Sequence, residues 1–171
     1  MRCYLTFALL ILVLLTSACS FQKRSAANIP PPLRTLYVSS SDPYGSLTTE
    51  IKTMLRSVNI HLVKHPLESD YILKINSIRF SHSTPVITTT LFVTTVKYYL
   101  YVNLSLLKMK RQGTIIQKTL VAFSSVSQDT NQVYTPDVST LLKNELERDI
   151  TTQIYYLLIS TNTRSALEHD H

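Results

Sequence analysis

The chain has 171 residues, with 17 Lys and Arg against 11 Asp and Glu, a formal net charge of +6 and no tryptophan. That length fits one domain with a real core and not a multidomain machine, and two cysteines are too few for a disulfide-built scaffold. Only 16% of residues are charged, against about 25% in an average soluble domain, so the surface is rich in hydroxyls and suits contact with a polar but neutral wall.

Residues 1–18 read as a cleaved export signal. Arg2 supplies the positive start, "LTFALLILVLL" the apolar run and "TSAC" the small residues before Cys19. The run is too short to span a bilayer, which takes roughly 20 apolar residues. The stretch resembles a bacterial lipobox, with Thr16 in place of the usual Leu, so Cys19 is the expected lipidation site. Cleavage removes Cys3 and leaves Cys19 as a lone terminal cysteine, which points to an anchor and rules out an internal disulfide. Ser20 follows it, not the Asp that resembles an inner-membrane retention code, so the implied address is the periplasmic face of the outer membrane. Without Arg2 the chain keeps 16 basic and 11 acidic side chains, a net of +5; this fits an acidic partner, while export argues against nucleic acid.

Residues 19–32, "CSFQKRSAANIPPP", are polar, small and proline-rich, and read as a tether with a stiff end. The expected domain is 33–160. "LRTLYVS" alternates as a first strand. "SSSDPYGSLTTEI" poses the question of a phosphate-binding loop, but one glycine and no following lysine cannot cradle a phosphate. Asp42-Pro43-Tyr44-Gly45 is turn chemistry, with Ser46 as expected cap of a helix carrying Leu47, Ile51, Met54, Leu55 and Val58 at helical spacing.

"VNIHLV" is a short extended piece. "SDYILKINSIRFSHS" begins as an alternating strand, and its apolar phase shifts at Ile78 and Phe80, which predicts a bulge near Asn76 and Ser77. "TPVITTTLFVTTV" is β-branched and uncharged. "KYYLYVNLSLLKMK" places Tyr98, Leu100, Val102, Leu104 and Leu106 on one face and Tyr99, Tyr101, Asn103 and Ser105 on the other, the pattern of a half-buried antiparallel strand. "RQG" turns the chain and "TIIQKTLVAFSSVS" returns as its partner. The last helix has Thr135, Pro136 and Asp137 at its start and an inward stripe of Val138, Leu142, Leu146, Ile150, Ile154, Leu157 and Leu158. Residues 161–171 lack a period and read as a flexible tail. The sum is an α+β domain, two helices on one face of a mixed, roughly four-stranded sheet.

Chemistry is sparse. His61 and His65 are four apart, but Pro66 argues against the helix that would pair them as metal ligands. His82 sits in "FSHSTP" without a nucleophile signature. Glu145, Glu147 and Asp149 interleave with Lys143 and Arg148 as a solvated charged face. Lys97, Lys108, Lys110, Arg111 and Lys118 crowd one hairpin and could hold lipid phosphates by charge-assisted hydrogen bonds, or could simply solubilise the hairpin and discourage edge pairing.

From "CSFQKR" through "IPPPLRTLYVSSSDPYGSLTTEIKTMLRSVNIHLV" and on to "VKYYLYVNLSLLKMKRQG" and "LLKNELERDITTQIYYLL" the chain resembles the lipopolysaccharide-assembly lipoprotein family (LptE). Ser20 stands where the family has Gly, Phe21 keeps the aromatic position, and Asn59 replaces the Gly before the short strand. The resemblance implies a non-catalytic protein without cofactor or metal. It would form a heterodimer with an LptD-like outer-membrane β-barrel, plug and help assemble that barrel, and take part in inserting lipopolysaccharide into the outer leaflet. A polar barrel lumen fits the hydroxyl-rich composition. Family members place basic residues before the long strand, where this chain is uncharged until Lys97, so lipopolysaccharide contact is expected at Lys97, Lys108, Lys110, Arg111 and Lys118, and partner contact at Tyr99 and Tyr101. Two alternatives stand beside this reading: a pilot or scaffold lipoprotein of another envelope secretion machine, and an envelope hydrolase, for which a nucleophile constellation would be needed.

Overall fold

The computed structural model describes residues 28–83, 93–109, 113–129 and 137–169. Strands β1 (Thr35–Ser40), β2 (His61–Leu62), β3 (Tyr71–His82), β4 (Val93–Lys108) and β5 (Gly113–Asp129) form one sheet in the order β2-β1-β3-β4-β5. β1 runs parallel to both β2 and β3, whereas β3, β4 and β5 are antiparallel neighbours. Helices α1 (Ser46–Ser57), α2 (Asp137–Ile159) and α3 (Thr161–Glu168) complete the described elements. The class is the expected α+β. It has a fifth strand because the two-residue "HL" pairs with Thr35 and Leu36, and a third helix because the end of the chain is capped and docked.

The alternation of the long strand decides which face is core. Tyr98, Leu100, Val102, Leu104 and Leu106 are all buried, and they meet Leu73 and Ile75 of β3 across the ladder or beside it. Over them lie Ile51 and Leu55 of α1 and Leu142, Leu146, Ile150, Ile154 and Leu158 of α2. Burial of a Leu or Ile side chain contributes about 1.5–3 kcal/mol, so this layer carries most of the fold's stability. The bulge falls between Ile75 and Ser77, as the phase shift predicts. Past it the β3 faces exchange parity, and Ile78 and Phe80 turn inward while Arg79 turns outward.

The turn from β1 to α1 is a hydrogen-bonded knot. Thr48 Oγ1 donates to the Asp42 carbonyl at 2.7 Å, the Ser40 and Thr48 hydroxyls lie 2.8 Å apart, and the Asp42 amide donates to Ser40 Oγ at 3.1 Å. A Cβ at position 45 would run into the Asp42 carboxylate, so Gly45 makes room for that side chain in the turn. The cap position is Gly45, not Ser46. Ser46 Oγ instead donates to Glu147 Oε1 at 2.8 Å, and Glu147 is 2% exposed, with Lys143 Nζ 3.7 Å away. Glu145 and Asp149 remain on the solvated face. Glu147 departs from that expectation because it ties α2 to the start of α1, a contact between residues 101 apart in sequence.

Helix α1 ends on Asn59, which takes a left-handed conformation (φ 61°). Its amide donates to the Arg56 carbonyl and that of Ile60 to the Leu55 carbonyl, each at 3.0 Å. This pair of bonds is a Schellman motif with Asn in the place that Gly usually fills. The local geometry therefore survives the substitution.

Both ends of the domain are longer than expected. Ile29 is 2% exposed and Leu33 fully buried, with a 3-10 turn over Pro31–Arg34, so packing begins inside the stretch read as tether. At the other end Ser160 Oγ accepts from the Thr163 amide and Thr163 and Leu167 are buried. That capped helix replaces the expected frayed tail over Thr161–Glu168. The calls on residues 1–27, among them Cys19 and the lipobox, and those on Thr135 and Pro136 lie outside the described residues.

Candidate functional site

Helices α1 and α2 pack together, α2 lies on β4 and β5, and α3 touches β5. The opposite face of β3, β4 and β5 carries no described helix, and its composition differs from that of the core. Register places Ser81, Tyr99 and Phe123 in one row across the three strands, and Arg79, Tyr101 and Val121 in the next. The Tyr99 and Tyr101 rings stack with centroids 6.0 Å apart, Tyr99 meets Phe123 at 6.4 Å, and Arg79 Cζ lies 4.7 Å from the Tyr101 centroid. Phe123 is 68% exposed, while the two tyrosines are half-buried by their neighbours.

Beside the aromatic rows runs a polar ladder. Asn76, the extra residue of the bulge, donates from Nδ2 to Asn103 Oδ1 at 2.9 Å and to Ser105 Oγ at 2.8 Å. Asn103 Nδ2 in turn donates to Thr119 Oγ1 at 3.0 Å. The bulge thus serves to aim an amide along the face and pin the register of three strands. Rings with an attached guanidinium and a satisfied row of amides form a rigid platform. It can take a large partner by aromatic contact.

The three described basic residues, Lys97, Lys108 and Lys118, do not converge. Lys97 is exposed on the open face, opposite Ser125 and two residues from Tyr99. Lys108, opposite Tyr71 and Gly113, is at the far end of the same strand, roughly 37 Å away at about 3.4 Å per residue. Lys118 is exposed and opposite Leu104, which puts it on the helix side, at a groove of ≈ 420 Å³ with Ile116, Leu120, Gln153, Tyr156 and Leu157. Lys110 and Arg111 lie outside the described residues. Tyr99 and Tyr101 do come together, and Arg79 joins them. Sequence reasoning passed over Arg79 although the phase shift at Ile78 and Phe80 already implied that it changes face.

The histidines stay apart. His61 is exposed on the edge strand β2, and His65 heads the 3-10 turn Pro66–Glu68. His82 has its ring 6.0 Å from that of Tyr98 at the end of β3. Among the described residues no group of three or more His, Cys, Asp or Glu side chains could hold a metal ion, and no described helix is long and apolar enough to cross a membrane.

No family model matches the chain. A 58-residue segment is 43% identical to the LPS-assembly lipoprotein LptE of Yersinia enterocolitica, covering 34% of this chain and 28% of the relative. A second match, 37% over 65 residues, is to the protein of the same name from Pectobacterium atrosepticum and covers 38% of this chain and 35% of that one. The chain is similar in sequence to the LptE lipoproteins. The aligned part spans about a third of the length of these curated relatives. The fold extends the likeness. A minor lipoprotein from Acinetobacter baumannii superposes with a TM-score of 0.61 at 19% identity, over 74% of this chain and 91% of the other. An uncharacterised lipoprotein B from Nitrosomonas europaea does so with 0.64 at 13% identity, over 88% and 94%. At such identities the superpositions establish a shared fold.

Proposed function

We propose that this chain is a non-catalytic, lipid-anchored lipoprotein of the outer membrane that works in lipopolysaccharide assembly as the plug and assembly partner of an LptD-like β-barrel. The observation that carries this reading is the sequence match to proteins named LPS-assembly lipoproteins. The uncovered, aromatic and polar face of the sheet supports it, because a plug needs a rigid surface that satisfies a polar lumen. In this reading Tyr99, Tyr101 and Phe123 meet the barrel wall, and Cys19 carries the lipid that holds the domain at the periplasmic surface.

Lipopolysaccharide contact divides into separate stations. Lys97 with Arg79 offers one, on the open face; Lys108, which Lys110 and Arg111 follow closely in sequence, offers another, with Lys118 on the helix side. Replacing Lys97, Lys108, Lys110, Arg111 and Lys118 together by Gln should weaken lipopolysaccharide binding; unchanged binding rejects that assignment.

The function itself is tested by purifying the tagged, lipidated protein from native outer membranes in mild detergent. A stoichiometric large β-barrel protein is the expected companion. A secretin or secretion-ring component instead would turn the reading to a pilot or scaffold lipoprotein.

A further inference from the structure

The two ends of the domain meet in a groove that nothing above uses. It has a volume of ≈ 360 Å³ and is lined by Ile29, Pro30, Pro31, Pro32, Arg34, Arg164, Leu167 and Glu168. Arg34 closes the 3-10 turn whose Leu33 is anchored in the core, and Arg164 stands on α3, where its Nη2 donates to the Asn28 carbonyl at 2.9 Å. One of five guanidinium donors is thereby used, and Arg164 is exposed and lines the groove. Glu168 is the only acidic residue of the lining. Among the described residues no ion pair joins it to either arginine, and the described lining carries two cationic side chains against one carboxylate.

We propose that this groove binds the headgroup of an anionic glycerophospholipid in the leaflet to which the chain is tethered. Two observations select that occupant. Arginine forks match phosphate oxygens bidentately, and a pair of arginines against one carboxylate leaves the groove cationic. The chain leading into it is also short: eight residues lie between Cys19 and Asn28, a reach of at most roughly 30 Å at about 3.3–3.6 Å per residue. A lipid on Cys19 therefore keeps Arg34 and Arg164 near the membrane surface, with the buried Ile29 and the three prolines fixing the groove relative to the tether. The proposal rests on the anchored reading of Cys19. It adds a second contact with the membrane beside the lipid on Cys19, and with it a defined orientation of the domain.

The test uses the mature chain carrying Cys19→Ser, so that lipid does not mask the effect, and measures sedimentation with phosphatidylcholine vesicles with and without phosphatidylglycerol. Preference for the anionic vesicles is expected. Each arginine near such a surface is worth about fivefold in partitioning, so Arg34→Gln should cost about fivefold and the pair Arg34→Gln with Arg164→Gln about 25-fold. Lys97→Gln, on the open face near the start of β4, should cost less than Arg34→Gln. Arg34 makes no hydrogen bond that its loss would break among the described residues, so its single variant keeps the test valid if the Arg164 variant folds poorly. Unchanged binding of the Arg34 variant overturns the proposal, as does an equal loss from the Lys97 variant, which would mean diffuse charge. Vesicle binding abolished by millimolar inorganic phosphate would also overturn it, placing a free anion in the groove. The mass of the wild-type mature chain tests the lipid on Cys19 separately, and co-purification with a barrel tests the wider function without reference to this groove.

Discussion

The two faces of the sheet are built from the same three strands and behave as different materials. The covered face is aliphatic and fully sealed: Leu100, Val102 and Leu104 show no exposure. The open face is aromatic and polar, held by ring stacking, a guanidinium over Tyr101 and the Asn76, Asn103 and Thr119 ladder. Alternation with a period of two makes both from one sequence. The lesson is a division of labour in which stability resides under the helices, with recognition proposed for the other side.

Substitutions should separate the two. Leu100→Ala or Ile150→Ala, each at a position of zero exposure, should cost about 2–5 kcal/mol, read as a lowered urea midpoint with an unchanged slope. Glu147→Ala comes next: it removes a buried acceptor and leaves Ser46 Oγ without its partner, an expected loss of about 1–3 kcal/mol. A double-mutant cycle with Ser46→Ala should show clear coupling between the two, and strict additivity would mean that the pair does not join the helices.

On the open face the order reverses. Phe123→Ser should change stability by less than about 0.5 kcal/mol, as surface substitutions usually do, yet reduce recovery of the partner barrel. A large loss of stability there would erase the proposed division. Smallest of all, Asn59→Gly should stabilise by up to about 1 kcal/mol, because the left-handed conformation at φ 61° suits Gly better than Asn; destabilisation would show that the Asn side chain is needed.

Local pattern made part of this legible in the sequence. The inward set from Tyr98 to Leu106 and the stripe of α1 follow from periodicity alone, and the bulge at Asn76 follows from a break in it. What escaped reading depends on long-range register or on sparse packing. Glu147 looks solvated until α1 is placed over it, and Arg79 gains meaning only when β4 sets Tyr101 beside it. Helix α3 buries only Thr163 and Leu167 fully, too few residues to show a period. Lys97, Lys108 and Lys118 separate for the same reason: a strand carries residues of one hairpin far apart in space and alternates them between faces.

The most direct test of the division is site-specific photo-crosslinking in cells from two exposed positions, one on each side of the sheet. Phe123 represents the open face and Tyr156, 57% exposed on α2, the helix layer. An adduct with a large outer-membrane β-barrel protein that forms from position 123 and is weaker or absent from position 156 is the predicted result. A barrel adduct from position 156 with none from position 123 would contradict it, and would place the partner on the face here assigned to stability.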